Sequence, residues 1–74
     1  MKKYFEFKDL GTNSHKFWEI NLKGKQATVT YGRIGIKNPA SIVQKFKGKS
    51  ASTDAKKFAE LKIREKVNKG YIEK

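Results

Sequence analysis

The chain has no cysteine, one proline, one histidine, and only 7 acidic residues against 18 lysines and arginines. Without cysteine there is no disulfide framework and no thiolate-bound metal. His15 alone cannot build a histidine cluster, and the carboxylates are scattered at no spacing that suggests a metal site. Neither a metal nor a cofactor is expected. No segment approaches the roughly 18 apolar residues that a membrane span needs. Lys2, Lys3, Glu6 and Lys8 interrupt the apolar residues after Met1, so no secretory core segment is expected there. The expected setting is soluble and cytoplasmic, with no membrane partner. The parts of an enzyme are also missing. A general acid or base needs a tuned pKa and a partner within reach, and His15 stands beside the cation Lys16. The serines lack a nucleophile-elbow context. The glycines of Tyr31-Gly32-Arg33-Ile34-Gly35 are too close together for a phosphate loop, and no Gly-Lys-Ser or Gly-Lys-Thr follows them at that loop's spacing. No catalytic residue is expected.

What the chain does have is positive charge and aromatic rings. Its net charge is +11 with a pI near 10.0. A field of that sign favours a polyanionic partner, nucleic acid above all. Sixteen of the cations are lysines, which also serve solubility, so charge leaves both readings open. At 74 residues the chain is expected to form a single domain, 1–74. A domain of this size buries only about 60% of its unfolded surface, so large side chains must fill the core. Five Phe, three Tyr and one Trp are available.

Alternation marks four strands. In 2–8, Phe5 and Phe7 oppose Tyr4, Glu6 and Lys8. Residues 9–14 carry turn chemistry: Asp9, Gly11, Asn13 and Ser14. In 15–23, Trp18, Ile20 and Leu22 share a face opposite Phe17, Glu19 and Asn21. Lys23-Gly24-Lys25 is a loop of the kind that joins antiparallel strands. In 26–34, Ala27, Val29 and Tyr31 share a face. Asn38-Pro39 breaks the pattern, because proline has no N–H for a ladder. In 41–47, Ile42, Gln44 and Phe46 alternate with Val43, Lys45 and Lys47.

After a flexible connector at 48–52 the period changes to that of a helix. Ser52 or Thr53 is the expected N-cap and Asp54 complements the helix dipole. Ala55, Phe58, Ala59, Ile63 and Val67 form the expected apolar stripe. Lys62 and Lys66 lie near its centre, where their alkyl stems would cover the core edge. Glu60–Arg64 and Glu65–Lys69 have i,i+4 spacing with the acid first. Lys69 and Gly70 end the helix, and Tyr71 and Ile72 are expected to fold back onto the core. The class implied is α+β: an antiparallel sheet of four to five strands with one C-terminal helix on one face.

Binding chemistry centres on Tyr31, Gly32 and Arg33. An aromatic ring stacks on bases or sugars, and a guanidinium forks onto phosphate oxygens. Gly32, with no Cβ, would allow a backbone to approach closely. The structural alternative is a half-buried Tyr31, a solvated Arg33 and a bulge at Gly32. Lys23 and Lys25 flank the first hairpin loop, and Lys45 and Lys47 would project from one sheet face as a phosphate-tracking row. Lysines so placed also protect sheet edges.

Three stretches together carry a resemblance. Ser14–Ile20, Tyr31–Gly35 and Arg64–Glu73 occur in the order and at the spacings of the WGR domain, named for a Trp-Gly-Arg triplet. The resemblance spans essentially the whole chain and is nearest to bacterial members linked to molybdate metabolism regulators. Tyr31 stands where the naming Trp would be, and Asn38-Pro39 where the family often has Gly-Gln. The resemblance implies a twisted antiparallel sheet with one helix. It also implies a DNA-binding role, since the domain occurs in DNA-dependent poly(ADP-ribose) polymerases and there binds strand breaks. By that likeness Tyr31 would stack near a DNA terminus, Gly32 would allow approach and Arg33 would bridge. The expectation is a monomeric, non-catalytic module that binds nucleic acid, DNA first, through phosphate contacts of low sequence specificity. The alternative is a protein-interaction module that uses the Tyr31-Gly32-Arg33 surface on another protein or domain.

Overall fold

Gly24 and Lys25 form a two-residue turn between β2 (Ser14–Lys23) and β3 (Gln26–Arg33). Gly24 takes φ 55° at the first turn position, the glycine requirement of a type II′ hairpin. That turn fixes the register, so Trp18 lies opposite Tyr31 and Ile20 opposite Val29. β1 (Lys2–Asp9) pairs with β2 on its other side, placing Phe5 opposite Trp18. Its loop is closed by an Asx contact, Gly11 N donating to Asp9 Oδ1 at 3.0 Å, and by Asn13 at φ 54°. β4 (Ala40–Lys45) pairs with β3, and β5 (Ile72–Glu73) with β1. The computed structural model describes residues 1–74 as one antiparallel sheet in the order β4-β3-β2-β1-β5, with α1 (Ala51–Asn68) on one face. The α+β reading holds, with five strands.

The core lies between α1 and the sheet's centre. Phe5, Trp18, Ile20, Val29 and Ala59 form the buried cluster, with Leu22, Ile63 and Tyr71 packed against it. Phe5 and Trp18 meet at a ring distance of 5.7 Å. Ala51, Ala55 and Ala59 are all fully buried at four-residue spacing, so α1 meets the sheet's core side chains with only methyl groups along this seam. This close seam shifts the helix from its expected limits. The N-cap is Ser50, not Ser52 or Thr53, because the helix starts early enough to bury Ala51. Ser50 has φ −101° and ψ 17°, outside the extended geometry that aims a capping side chain, and it makes no side-chain cap bond.

Of the expected stripe, Ala55 and Ala59 are buried and Phe58 and Ile63 half-buried, so it departs only at its end. Val67 is 51% exposed, while Lys62 and Lys66 are half-buried in its place. Their stems do cover the core edge: Lys66 Nζ is 5.8 Å from the Trp18 ring centre and Lys62 Nζ 5.7 Å from that of Phe58. The expected Glu60–Arg64 and Glu65–Lys69 pairs do not form; Glu65 instead meets Lys62 at 3.7 Å. The C-terminus is a Schellman cap. Tyr71 N donates to Lys66 O and Gly70 N to Val67 O, both at 3.0 Å, with Gly70 at φ 107°. Tyr71 then stacks on Phe7 at 5.2 Å. Ile72 does not join the core; it is exposed as part of β5.

Candidate nucleic-acid interface

The hairpin register places Lys16 opposite Arg33, next to the Trp18–Tyr31 pair and on the same sheet face. The last rung beyond them is Ile34 N donating to His15 O at 2.9 Å. α1 ends over this corner. Lys66 Nζ lies 5.1 Å from the Tyr71 ring centre and near the Trp18 ring, so its ammonium bridges two aromatic faces. Between the strand ends and the helix end is a groove of about 280 Å³. Its cations are Lys16, Arg33 and Lys66; its rings are Tyr31 and Tyr71, with Phe17 and Gly32 at its base; no carboxylate lines it. None of the chain's four ion pairs involves Lys16, Arg33, Lys66 or Lys69.

That imbalance shows in Lys66. Its pKa is lowered from the ordinary lysine value, first by desolvation and then by the charge of Lys69, with Lys62 and Lys16 adding smaller effects. Glu65 opposes the shift without cancelling it. The groove is thus a site of uncompensated positive charge walled by rings, suited to an anion attached to something flat or apolar.

Sequence reasoning placed Tyr31 and Arg33 here, and Tyr31 is 40% exposed. Gly32 differs from expectation. A Cβ on it would sit 3.2 Å from Ile36 Cγ2 and 3.8 Å from Phe17 Cε1, so the space beside Gly32 is taken by the chain's own loop. Its register opposite Phe17 is regular, without a bulge. Gly32 lets residues 34–39 fold back on the strand end; it does not leave an opening for a ligand there.

Lys23, Lys25, Lys45 and Lys47 belong to the other end of the molecule. Lys23 pairs with Gln26, which pairs with Lys45, and Phe46 N donates to Lys25 O at 2.9 Å. From Gln26 to Arg33 the strand runs about 23 Å at roughly 3.3 Å per residue. Lys23 and Lys45 also alternate to the face away from α1, since Leu22, Ala27 and Gln44 take the helix side. β4 ends at Lys45, so Lys45 and Lys47 form no continuous row along a strand. The structure does not bring these four lysines to the triplet.

It brings Lys16, Lys66 and Tyr71 instead. Lys16 was legible: a two-residue turn at Gly24-Lys25 makes the numbers of β2–β3 partners add to a constant, which sets Lys16 against Arg33. Lys66 and Tyr71 had no such signal, because they depend on where a helix crosses a sheet.

An antiparallel five-stranded sheet, one helix on one face and an aromatic-Gly-Arg triplet closing the third strand define a class of small α+β domain. The sequence profile of the WGR domain matches residues 1–74, and the chain belongs to that family. It is a family of small non-catalytic modules with a general nucleic-acid-binding role. The chain is 37% identical over 72 residues to YehF of Escherichia coli K12. That match takes in 96% of this chain and 24% of YehF. A crystal structure of a Bacteroides fragilis protein is also similar, at 38% identity and a TM-score of 0.86, covering 100% of this chain and 19% of that one. The chain therefore spans about a quarter or less of the length of these relatives.

Proposed function

We propose that the chain is a non-catalytic DNA-binding module that holds a strand terminus in the groove closed by Arg33, Lys16 and Lys66. The observation that carries this reading is three cations and two tyrosine rings around one groove that no carboxylate lines. Arg33 would fork onto a phosphate and Lys16 and Lys66 would flank it, while Tyr31 and Tyr71 would pack on the attached sugar or base. A groove of about 280 Å³ suits a protruding terminus better than the broad flank of a duplex. Sequence specificity is low in this reading, since phosphate contacts position a duplex without reading it. The test is a titration with three labelled DNAs: a blunt duplex with a 5′ phosphate, a closed dumbbell of the same sequence, and a single strand. Salt-sensitive binding that favours the open end is expected, with Arg33→Ala weakening it about tenfold. Equal, weak binding to all three would overturn the terminus reading.

The lengths of the relatives favour a second reading, in which the same surface docks on a neighbouring domain or protein. Tyr and Arg are common anchors of such interfaces. A partner retained after nuclease treatment and in high salt would decide for it.

A further inference from the structure

β4 is an edge strand whose outer side is unpaired, and all six of its residues are exposed. Phe46 N donates to Lys25 O, and in an antiparallel ladder such bonded pairs recur at every second residue. Ala40, Ile42 and Gln44 therefore bond inward to β3, and Ser41, Val43 and Lys45 direct their N–H and C=O groups outward. Beside this edge, on the helix side, lies a larger groove of about 420 Å³. Ile42 and Gln44 line it from β4, Phe58 and Lys62 from α1, and Lys69 from the helix C-cap. Ile42 is 54% exposed, and Val43 on the opposite face is 50% exposed, so both sides of the edge show apolar surface.

We infer that β4 accepts a strand from another polypeptide, one that alternates β-branched with acidic residues. Main-chain bonds to Ser41, Val43 and Lys45 would supply affinity, and the pocket beside alternate residues would supply selectivity, the logic of strand addition. The charge argues for the occupant. The groove carries Lys62, Lys66 and Lys69 against a single acid, Glu65, which is already 3.7 Å from Lys62. Lys45 lies on the far face of the same edge. A second copy of this chain fits poorly, since two molecules of charge +11 would meet with Lys45 on each edge. In an alternating strand the acidic row would face Lys62, Lys66 and Lys69 on the helix side, and the β-branched row would cover Val43 on the far face. This groove shares Tyr31 and Lys66 with the one at the end of β3, but the outward main-chain groups of Ser41, Val43 and Lys45 take no part in the DNA reading, so strand addition does not depend on it.

The test uses the whole chain and a labelled peptide of alternating valine and glutamate. Two control peptides replace glutamate by lysine, or methylate the central amide nitrogens and leave the side chains intact. The glutamate peptide is expected to bind about tenfold or more tighter than either control. Amide exchange at Ser41, Val43 and Lys45 should slow on binding. The double variant Lys62→Glu, Lys69→Glu should weaken the glutamate peptide about tenfold. Equal binding of the methylated peptide would mean that charge alone attracts it, and would overturn strand addition. So would exchange protection confined to other segments, or protection of β4 by a single-stranded oligonucleotide but not by the peptide.

Discussion

Lys66 does two jobs with one side chain, and they can be separated. Its stem covers Trp18 and Tyr71, while its ammonium is desolvated there and stands among Lys69, Lys62 and Lys16. A bound phosphate would relieve that repulsion, whereas the stem packs with or without a ligand. Lys66→Met keeps an apolar stem and removes the charge. Its thermal midpoint is expected to stay level or rise, while affinity for the open DNA end drops about tenfold. A parallel loss of stability and affinity would show that the charge itself supports the fold. On the opposite sheet face, Glu6 accepts from Tyr4 OH at 3.0 Å and lies 3.1 Å from His15 Nε2. Its pKa is lowered, first by the Tyr4 bond and then by the bond and charge of His15, against an opposing effect of burial. A carboxylate with a lowered folded value favours folding above its unfolded pKa, and that contribution fades as pH falls through the lowered value. Melting curves in mild acid should therefore show a steeper loss for the native chain than for Glu6→Gln. Identical pH profiles would remove Glu6 from the acid response.

At the level of elements, the strands were the most legible part. Alternation gives their faces correctly: Phe5 with Phe7, Trp18 with Ile20 and Leu22, and Ala27 with Val29 and Tyr31. Period two is enforced by the backbone itself, so few neighbours are needed to read it. The helix was legible in kind and in most of its face. Of the expected stripe, Ala55 and Ala59 are fully buried and Phe58 and Ile63 half-buried; Val67 turns outward, and the seam reaches back to Ala51, which was read as connector. Small residues allow the closest approach, and hydrophobic patterning gives them too little weight. Lys62 and Lys66 cover the core edge as their places in the stripe imply, but that Lys66 also meets the triplet depends on where the helix crosses the sheet. Space along the seam is the testable quantity. Ala59→Leu would insert a branched side chain into the Phe5–Trp18–Ile20 cluster and should cost about 1–3 kcal/mol. At this chain length that lowers the melting point by several degrees, about 4–8 °C per kcal/mol. The cap gives a second check. A Cβ at Gly70 would sit 3.0 Å from Phe7 Cε1 at a φ of 107°, so Gly70→Ala is expected to destabilise by more than about 1 kcal/mol. An unchanged melting point in either variant would mean that the seam or the cap yields more readily than its geometry indicates.

For the whole molecule, the question is how much of the +11 charge a ligand feels. The chain extends 45 Å in its longest dimension, and its two lysine groups lie at opposite ends of β3. Screening at physiological salt acts over about 8 Å, so these groups behave as separate sites. Composition alone cannot say whether DNA engages one end or the full length, but counterion release can. Each neutralised phosphate contributes about −0.9 to the slope of log K against log salt. Binding confined to Lys16, Arg33 and Lys66 predicts a slope of about −3. A ligand that also covers Lys23, Lys25, Lys45 and Lys47 predicts about −6. We expect the shallower value on a short duplex with open ends, and Lys16→Ala should reduce it by about one. Neutralising Lys23 and Lys45 together should leave that slope unchanged. If the slope is about −6 and those distal changes shift it, the basic surface acts as one long polyanion track. The groove at the end of β3 would then be only a part of it.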